Sequence, residues 1–355
     1  MQAKGFGCAT RQSAARLTSV VNEYMVQAPR DGNLRRKAQT ILVVDDKLDT
    51  LLLVRELLTS RGYYVTTASD ADEALQAIQA EKPDLILLDV IMPGRSGYDL
   101  CRELKDDPAT RLIPVVMITG LSDRADRVRG IEAGADDFLS KPLYPEELYA
   151  RVKSLLKLKH FTDELENAEA VLFTLALGVE ARDPFTGDHC ARLAHYAGEL
   201  GRHLHFDYEN VVALERGGYL HDLGKIKVPD EILKKGTELT PAEWEVMKRH
   251  PADGEAICRP LKSFRKVLPI IRHHHEHWNG SGYPDGLDGH NIPVLARVLQ
   301  VVDVYDALVT ARPYKAALSE AQTRDTMLHE AKRGLWDYEL VREFFHMLES
   351  ERRAA

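Results

Sequence analysis

Between Thr40 and about residue 158 the chain repeats one unit five times: a short apolar, β-rich run followed by a helix-periodic segment. The runs ILVVDD, YYVTTAS, DLILLDV, IPVVMITG and DFLSKP alternate with LLLVRELLTSRG, DEALQAIQAEKP, SGYDLCRELKDD, DRVRGIEAGA and PEELYARVKSLL. Strands this short and apolar, each followed by a crossover helix, predict an α/β, doubly wound, five-stranded and mainly parallel sheet. Gly62 and Gly134 read as helix stops, and Ser69 or Asp70 and Ser122 as N-caps.

Such sheets place their chemistry at the carboxyl ends of their strands. Asp45 and Asp46 close the first run, Asp89 the third, Thr119 the fourth and Lys141 the fifth, so all five are expected at one edge. Any one of these aspartates alone would be an ordinary turn former. Three carboxylates together repel one another unless a hard divalent cation joins them, and Mg²⁺ takes such oxygen ligands. A lysine and a hydroxyl opposite suit an incoming phosphoryl group.

After roughly residue 145 strand-like alternation fades and helical patterns run to the end, broken by NGSGYPDGLDGHNIP. An all-α second domain is expected. Residues 1–39 and 346–355 read as tails, and 145–175 as a helical connector overlapping both domains. In the connector Leu158, Phe161, Leu165, Ala168, Leu172 and Leu175 keep an a/d heptad spacing, which suits pairing with a second copy or packing on the domain's own core.

His189, His221, Asp222, His250, His274, His275 and Asp303 recur through this helical half. His250 reads as the end of a helix begun at Thr240–Pro241, with Glu243 completing a capping box and Pro251 as the stop. Asp303 lies within ARVLQVVDVYDALV, where a buried carboxylate demands a partner. Singly, a helical histidine is more often surface or core than ligand. Jointly, imidazoles and carboxylates without thiolates suit borderline first-row ions: Fe, Mn, Ni, Zn or Co. Two such ions sharing one aspartate would activate water near neutral pH and clamp a phosphodiester.

Composition excludes several other classes. With 355 residues, 44% hydrophobic and 29% charged, the chain can bury two or three cores. A net charge of -8 argues against a general grip on nucleic acid phosphates. Cys8, Cys101, Cys190 and Cys258 are far apart with no CxxC pair, so neither a thiolate metal site nor a disulfide framework is expected. The longest apolar runs, such as LILLDVIM, fall well short of a bilayer span and no signal-peptide block opens the chain, so a cytoplasmic protein is expected.

Residues 40–158, with the IMPGRSG loop and the Lys141–Pro142 pair, resemble the receiver domain of two-component response regulators, a CheY-like, flavodoxin-like fold. The resemblance implies that Asp89 accepts a phosphoryl group from a sensor histidine kinase. It also implies that Asp45 and Asp46 help hold Mg²⁺, that Thr119 and Lys141 contact the phosphoryl oxygens, and that Phe138 is the switch aromatic. Residues 172–345 resemble the HD-GYP branch of the HD superfamily through RDPFTGDHCARLA, HDLGKIKVPDEILKKGTELT, MKRHPADG, HHEHWNGSGYPDGLDGHNIP and VVDVYDALVTARPYK. The pairing is similar to RpfG-type response regulators, which implies a phosphorylation-regulated cyclic di-GMP phosphodiesterase that forms linear pGpG first, with a second cut to GMP left open.

Carried over by position, the resemblance makes His189, His221, Asp222 and Asp303 ligands of one ion, with Asp222 bridging to a second held by His250, His274 and His275. Lys225 is expected to touch the scissile phosphate, with Asp222 beside it in the chemistry, and Arg312 and Lys315 to grip substrate phosphates. Gly282, Tyr283 and Pro284 name the family. His273 and His277 match no ligand position and are expected as solvated loop residues, with Glu276 orienting an imidazole. Phe185 stands where some members carry a glutamate for a third metal, so two ions are expected. Two other readings stay open: a metal-stabilised module in which the GYP loop docks diguanylate cyclase (GGDEF) domains, and an HD phosphohydrolase acting on another nucleotide. A homodimer is expected.

Overall fold

The structure is a computed structural model and describes residues 39–120, 124–182, 188–311 and 317–354. Ser122, Phe185, Arg312 and Lys315, and all but the last residue of the 1–39 segment, lie outside the described residues. The chain forms two compact units, divided between Asn167 and Ala168.

The first unit is a five-stranded sheet of β1 (Thr40–Val44), β2 (Tyr64–Ala68), β3 (Leu85–Asp89), β4 (Val115–Thr119) and β5 (Asp137–Ser140), ordered β2-β1-β3-β4-β5 and parallel throughout. Every residue of β1, β3 and β4 is buried, as a parallel sheet covered on both faces requires. Alternate side chains feed two cores. Leu42, Val44, Ile86 and Leu88 pack with α2 (Ala71–Ala80) and α3 (Gly97–Asp106), while Ile41, Val43, Leu85 and Leu87 pack with α1 (Leu48–Thr59) and the start of α5 (Pro145–Glu180). The carboxylate of Asp70 accepts from the Glu73 amide and caps α2, while Gly62 and Gly134 take φ of +87° and +86°, the left-handed turn that ends a helix. At Gly97 a Cβ would lie 2.1 Å from the Asp89 carbonyl, so only glycine lets α3 start against the end of β3. The fourth helix, α4, spans Arg124–Glu132.

The second unit is helical, as expected: α6 (His189–His203), α7 (Tyr208–Leu220), α8 (Asp230–Leu233), α9 (Pro241–Met247), α10 (His250–Cys258), α11 (Leu268–His273), α12 (Val294–Val309), α13 (Glu320–Lys332) and α14 (Tyr338–Ala354), with a 3₁₀ turn at Leu223–Lys227. Its core gathers Leu193, Leu220, Phe264, Ile270, Val298, Val302 and Phe344. Of the connector positions, Leu172 packs against this core, whereas Leu158, Phe161, Leu165 and Leu175 are exposed.

Two sequence expectations are corrected. His250 opens α10 and does not end the preceding helix: the Thr240–Glu243 capping box starts α9, which stops at Met247, and Pro251 sits in the first turn of α10, where its missing N–H costs nothing. Residues 346–354, read as part of a tail, continue α14, because Met347 and Leu348 give that helix an apolar face buried in the core.

Candidate metal centre

In the first unit, oxygens of Asp45, Asp46 and Asp89 lie within 4.8 Å of one another at the carboxyl edge of the sheet. Asp45 and Asp89 are buried and Asp46 is exposed. Lys141 Nζ reaches Asp45 Oδ2 at 2.8 Å and Asp89 Oδ1 at 3.0 Å. Burial raises the Asp89 carboxyl above its ordinary range; the Lys141 hydrogen bond opposes this, and the neighbouring Asp45 and Asp46 charges add to it. Burial works against charge on Lys141, but its two carboxylate bonds hold it above the usual lysine range. Thr119 is buried at the end of β4, next to this pocket in the strand order. The half-buried Phe138 lies against Gly130 of α4, where a Cβ would meet the ring at 2.5 Å.

In the second unit two sets meet. Asp222, His250, His274 and His275 each offer an atom within 4.8 Å of the others, and so do His189, His221 and Asp303. His221 closes α7, Asp222 opens the 3₁₀ turn, His250 opens α10, His274 follows α11, and Asp303 comes from inside α12. Three imidazoles are held alike: Nδ1 of His221, His250 and His274 donates to the carbonyl three residues back, Gly218 at 3.0 Å, Met247 at 2.8 Å and Ile271 at 2.8 Å. A carbonyl can only accept, so Nδ1 carries a proton, and in the neutral ring Nε2 presents its lone pair.

Those Nε2 atoms face one another and Asp222. His250 Nε2 lies 3.4 Å from His274 Nε2 and 3.2 Å from Asp222 Oδ1, while His221 Nε2 lies 3.3 Å from Asp222 Oδ2. Asp222 Oδ1 is buried without a hydrogen-bond donor. Lone pairs and an anionic oxygen turned inward repel one another unless a cation sits among them, so this donor set fits divalent metal. Burial and the neighbouring imidazoles hold His274 and His275 well below the ordinary histidine range, which keeps both neutral and able to ligate. Burial opposes ionisation of Asp222, but Lys225, whose Nζ lies 2.5 Å from Oδ2, and His221 hold it well below the usual carboxylate range.

His189 is held differently. Its Nδ1 lies 2.7 Å from Asp306 Oδ2, and Arg192 grips the same carboxylate through Nε at 2.5 Å and Nη2 at 2.9 Å. Against burial, these bonds keep Asp306 below its ordinary range. An ionised Asp306 fixes the His189 proton on Nδ1 and turns Nε2 toward Asp303 Oδ1, 3.5 Å away. Sequence reasoning missed Asp306 and Arg192. The available signal was spacing: Asp306 is three residues after Asp303 in an apolar helix, and Arg192 three after His189.

Glu276 is corrected. Its buried carboxylate accepts from the backbone amides of Asp285 (2.8 Å) and Leu287 (3.0 Å), not from a clustered imidazole, because the tight loop turns its amides inward. It thereby holds the Gly282–Tyr283–Pro284 loop, and Gly282 packs so closely that a Cβ would lie 2.2 Å from the His277 amide nitrogen. Gln300 Nε2, also missed, donates to the Glu276 carbonyl. His273 and His277, expected in solvent, are half-buried: His273 faces Asp285 at 3.5 Å, and His277 Nδ1 lies 2.9 Å from Ser281 Oγ. Tyr283 stacks on His275 with centroids 4.8 Å apart, its amide donating to the His275 carbonyl.

Comparison with known proteins agrees with this division. Residues 41–153 match the response regulator receiver domain and residues 175–340 the HD domain, a family of divalent-metal proteins. The chain is 38% identical to the cyclic di-GMP phosphodiesterase response regulator RpfG of Xanthomonas campestris, covering 81% of each chain. It is 36% identical to a probable cyclic di-GMP phosphodiesterase of Vibrio cholerae, over 81% of this chain and 73% of that one. To a cyclic di-GMP phosphodiesterase of Thermotoga maritima it is 32% identical, over 78% and 82%. No helix among the described residues is long and apolar enough to cross a membrane.

Proposed function

Because this chain belongs to the family of response regulators that join a receiver domain to an HD domain, we propose that it is a phosphorylation-controlled, metal-dependent cyclic di-GMP phosphodiesterase. The observation that carries the chemistry is the buried, donor-less Oδ1 of Asp222 among inward-facing Nε2 atoms. In this reading His189, His221, Asp222 and Asp303 hold one ion, and Asp222, His250, His274 and His275 a second, of Fe, Mn, Ni, Zn or Co. When bound, such a pair activates water and neutralises charge on the phosphodiester.

The chain's own groups supply the rest. Lys225 keeps Asp222 ionised and is the nearby cation for the scissile phosphate. Arg192 and Asp306 hold the His189 proton away from the site. The Glu276-tethered loop keeps Tyr283 over His275. Arg312 and Lys315 complete the phosphate grip in this reading, and the product is linear pGpG.

In the receiver unit Asp89 is the phosphoacceptor, supplied by a phosphodonor such as a histidine kinase. Asp45 and Asp46 hold Mg²⁺, Lys141 and Thr119 meet the phosphoryl oxygens, and Phe138 follows the change. The exposed Leu158, Phe161 and Leu165 of α5 are read as the face that pairs with a second copy. The Gly282–Pro284 loop is a candidate docking point for GGDEF domains.

A second substrate reading has its own support. Over 175 residues the chain is 34% identical to a 3′3′-cGAMP-specific phosphodiesterase of Vibrio cholerae, 48% of this chain and 33% of that one. Metal-replete full-length protein offered cyclic di-GMP and 3′3′-cGAMP, with products separated by chromatography, tests both readings. Cleavage of cyclic di-GMP to pGpG, lost in Asp222→Asn together with bound metal, is expected. Binding of cyclic di-GMP without cleavage would sink the enzymatic reading.

A further inference from the structure

Trp244 has no structural task in the core. Helix α9 buries none of its residues, Trp244 is 45% exposed, and its ring is absent from the apolar cluster that packs the unit. Indoles are rarely left this open to water without a partner to cover them. Yet α9 is firmly held: Thr240 and Glu243 cap it reciprocally, and Lys235 Nζ grips the same Glu243 at 2.5 Å.

The helix presents Trp244 beside the metal cluster. Its ring stands edge-on to Tyr283, with centroids 6.2 Å apart and planes at 75°, and Tyr283 in turn stacks on His275 and lies 6.4 Å from His250. Ile226, between Lys225 and Lys227, is a second exposed apolar side chain next to the phosphate-facing lysine. An exposed aromatic face one residue-width beyond a phosphate site suits a base joined to that phosphate through one sugar.

We propose that the Trp244 indole, set against Tyr283, is the stacking platform for a purine base of the dinucleotide whose phosphate is held at the imidazole cluster. The proposal rests on the phosphodiesterase reading and adds the residue that recognises the base. A platform of this kind favours a fused purine over a single small ring or a bare phosphodiester, because stacking grows with the area of ring covered and reads no phosphate.

The test uses metal-replete full-length protein with Trp244→Ala and Trp244→Phe, and two substrates, cyclic di-GMP and bis(p-nitrophenyl) phosphate. The ratio of kcat/KM for cyclic di-GMP to that for the aryl diester is expected to fall about 5- to 150-fold in Trp244→Ala. The change should lie in KM and be largely restored in Trp244→Phe. An unchanged ratio, or an equal loss on both substrates, overturns the proposal. Calorimetric titration with GMP provides a separate arm: the parent should bind it and Trp244→Ala should bind it more weakly, and equal binding or none by the parent also overturns the platform. A parent that cleaves only the aryl diester would overturn the substrate reading, leaving the GMP arm to decide for Trp244.

Discussion

The receiver pocket and the helical centre solve the same electrostatic problem with different materials. In the first, three carboxylates stand at strand ends and one lysine offsets part of their repulsion. In the second, five imidazoles and two carboxylates converge from separate helices and turns. Oxygen-only ligands beside an exposed Asp46 suit a hard, hydrated cation that comes and goes, whereas imidazole nitrogens buried around Asp222 suit a borderline ion held for long periods. The difference lies also in the supports. The strand ends are set by backbone register, while His189, His221, His250 and His274 each take a second partner that chooses the proton-bearing nitrogen.

The sharpest way to break this contrast is Gly224→Ala. Gly224 sits in the turn after Asp222, and a Cβ there would come 1.9 Å from the His250 carbonyl and 2.6 Å from the Gly254 nitrogen. Backbone cannot yield as a side chain does, so the helical unit should lose about 1–3 kcal/mol, or more, and its metal. Calorimetry of the full chain should show its transition fall while the receiver transition stays. A joint fall would show that the two sites do not have independent supports.

Asp306→Asn tests the proton-placing support alone. An amide can turn its nitrogen toward His189 and favour the wrong tautomer, so metal affinity should fall about 10- to 100-fold with the fold intact, and Asp306→Glu should recover part of it. Titration with Zn²⁺ or Mn²⁺ measures this directly. Unchanged affinity would mean that the His189 arm does not depend on its support.

The smallest effect belongs to the receiver. The Asp89 carboxyl titrates above its ordinary range in the folded protein, so the native state holds its proton more tightly than the unfolded chain. Stability therefore falls as pH rises through the window above 3.8, and at neutral pH the ionised Asp89 opposes folding. Asp89→Asn should raise the receiver melting temperature slightly at pH 7 without Mg²⁺ and reduce the further rise that Mg²⁺ brings to the parent. A lower melting temperature in Asp89→Asn would contradict the repulsion inferred for this pocket.

Legibility in the sequence followed the range of the interaction that fixes each feature. Strand ends, glycine stops and the Thr240–Glu243 cap are local, and Asp45, Asp89, Thr119 and Lys141 could be placed at one edge from topology alone. The histidine set was found by resemblance, since no local period brings His189 to Asp303. What escaped was specified by partners far along the chain: Asp306 for His189, Gln300 for the Glu276 carbonyl, and the loop amides that claim Glu276. The end of α14 was misread for a related reason. Its charged ESERRA finish hides Met347 and Leu348, whose burial depends on helices far earlier in the chain.

The three short tethers at His221, His250 and His274 reach only one turn back along their own backbone. Each ring is therefore aimed by its own stretch of chain. An incoming ion would meet donors already committed to the correct nitrogen and would have to gather them without re-sorting their protons. Capture of metal by a newly made chain is, on this geometry, a matter of assembly and not of chemistry.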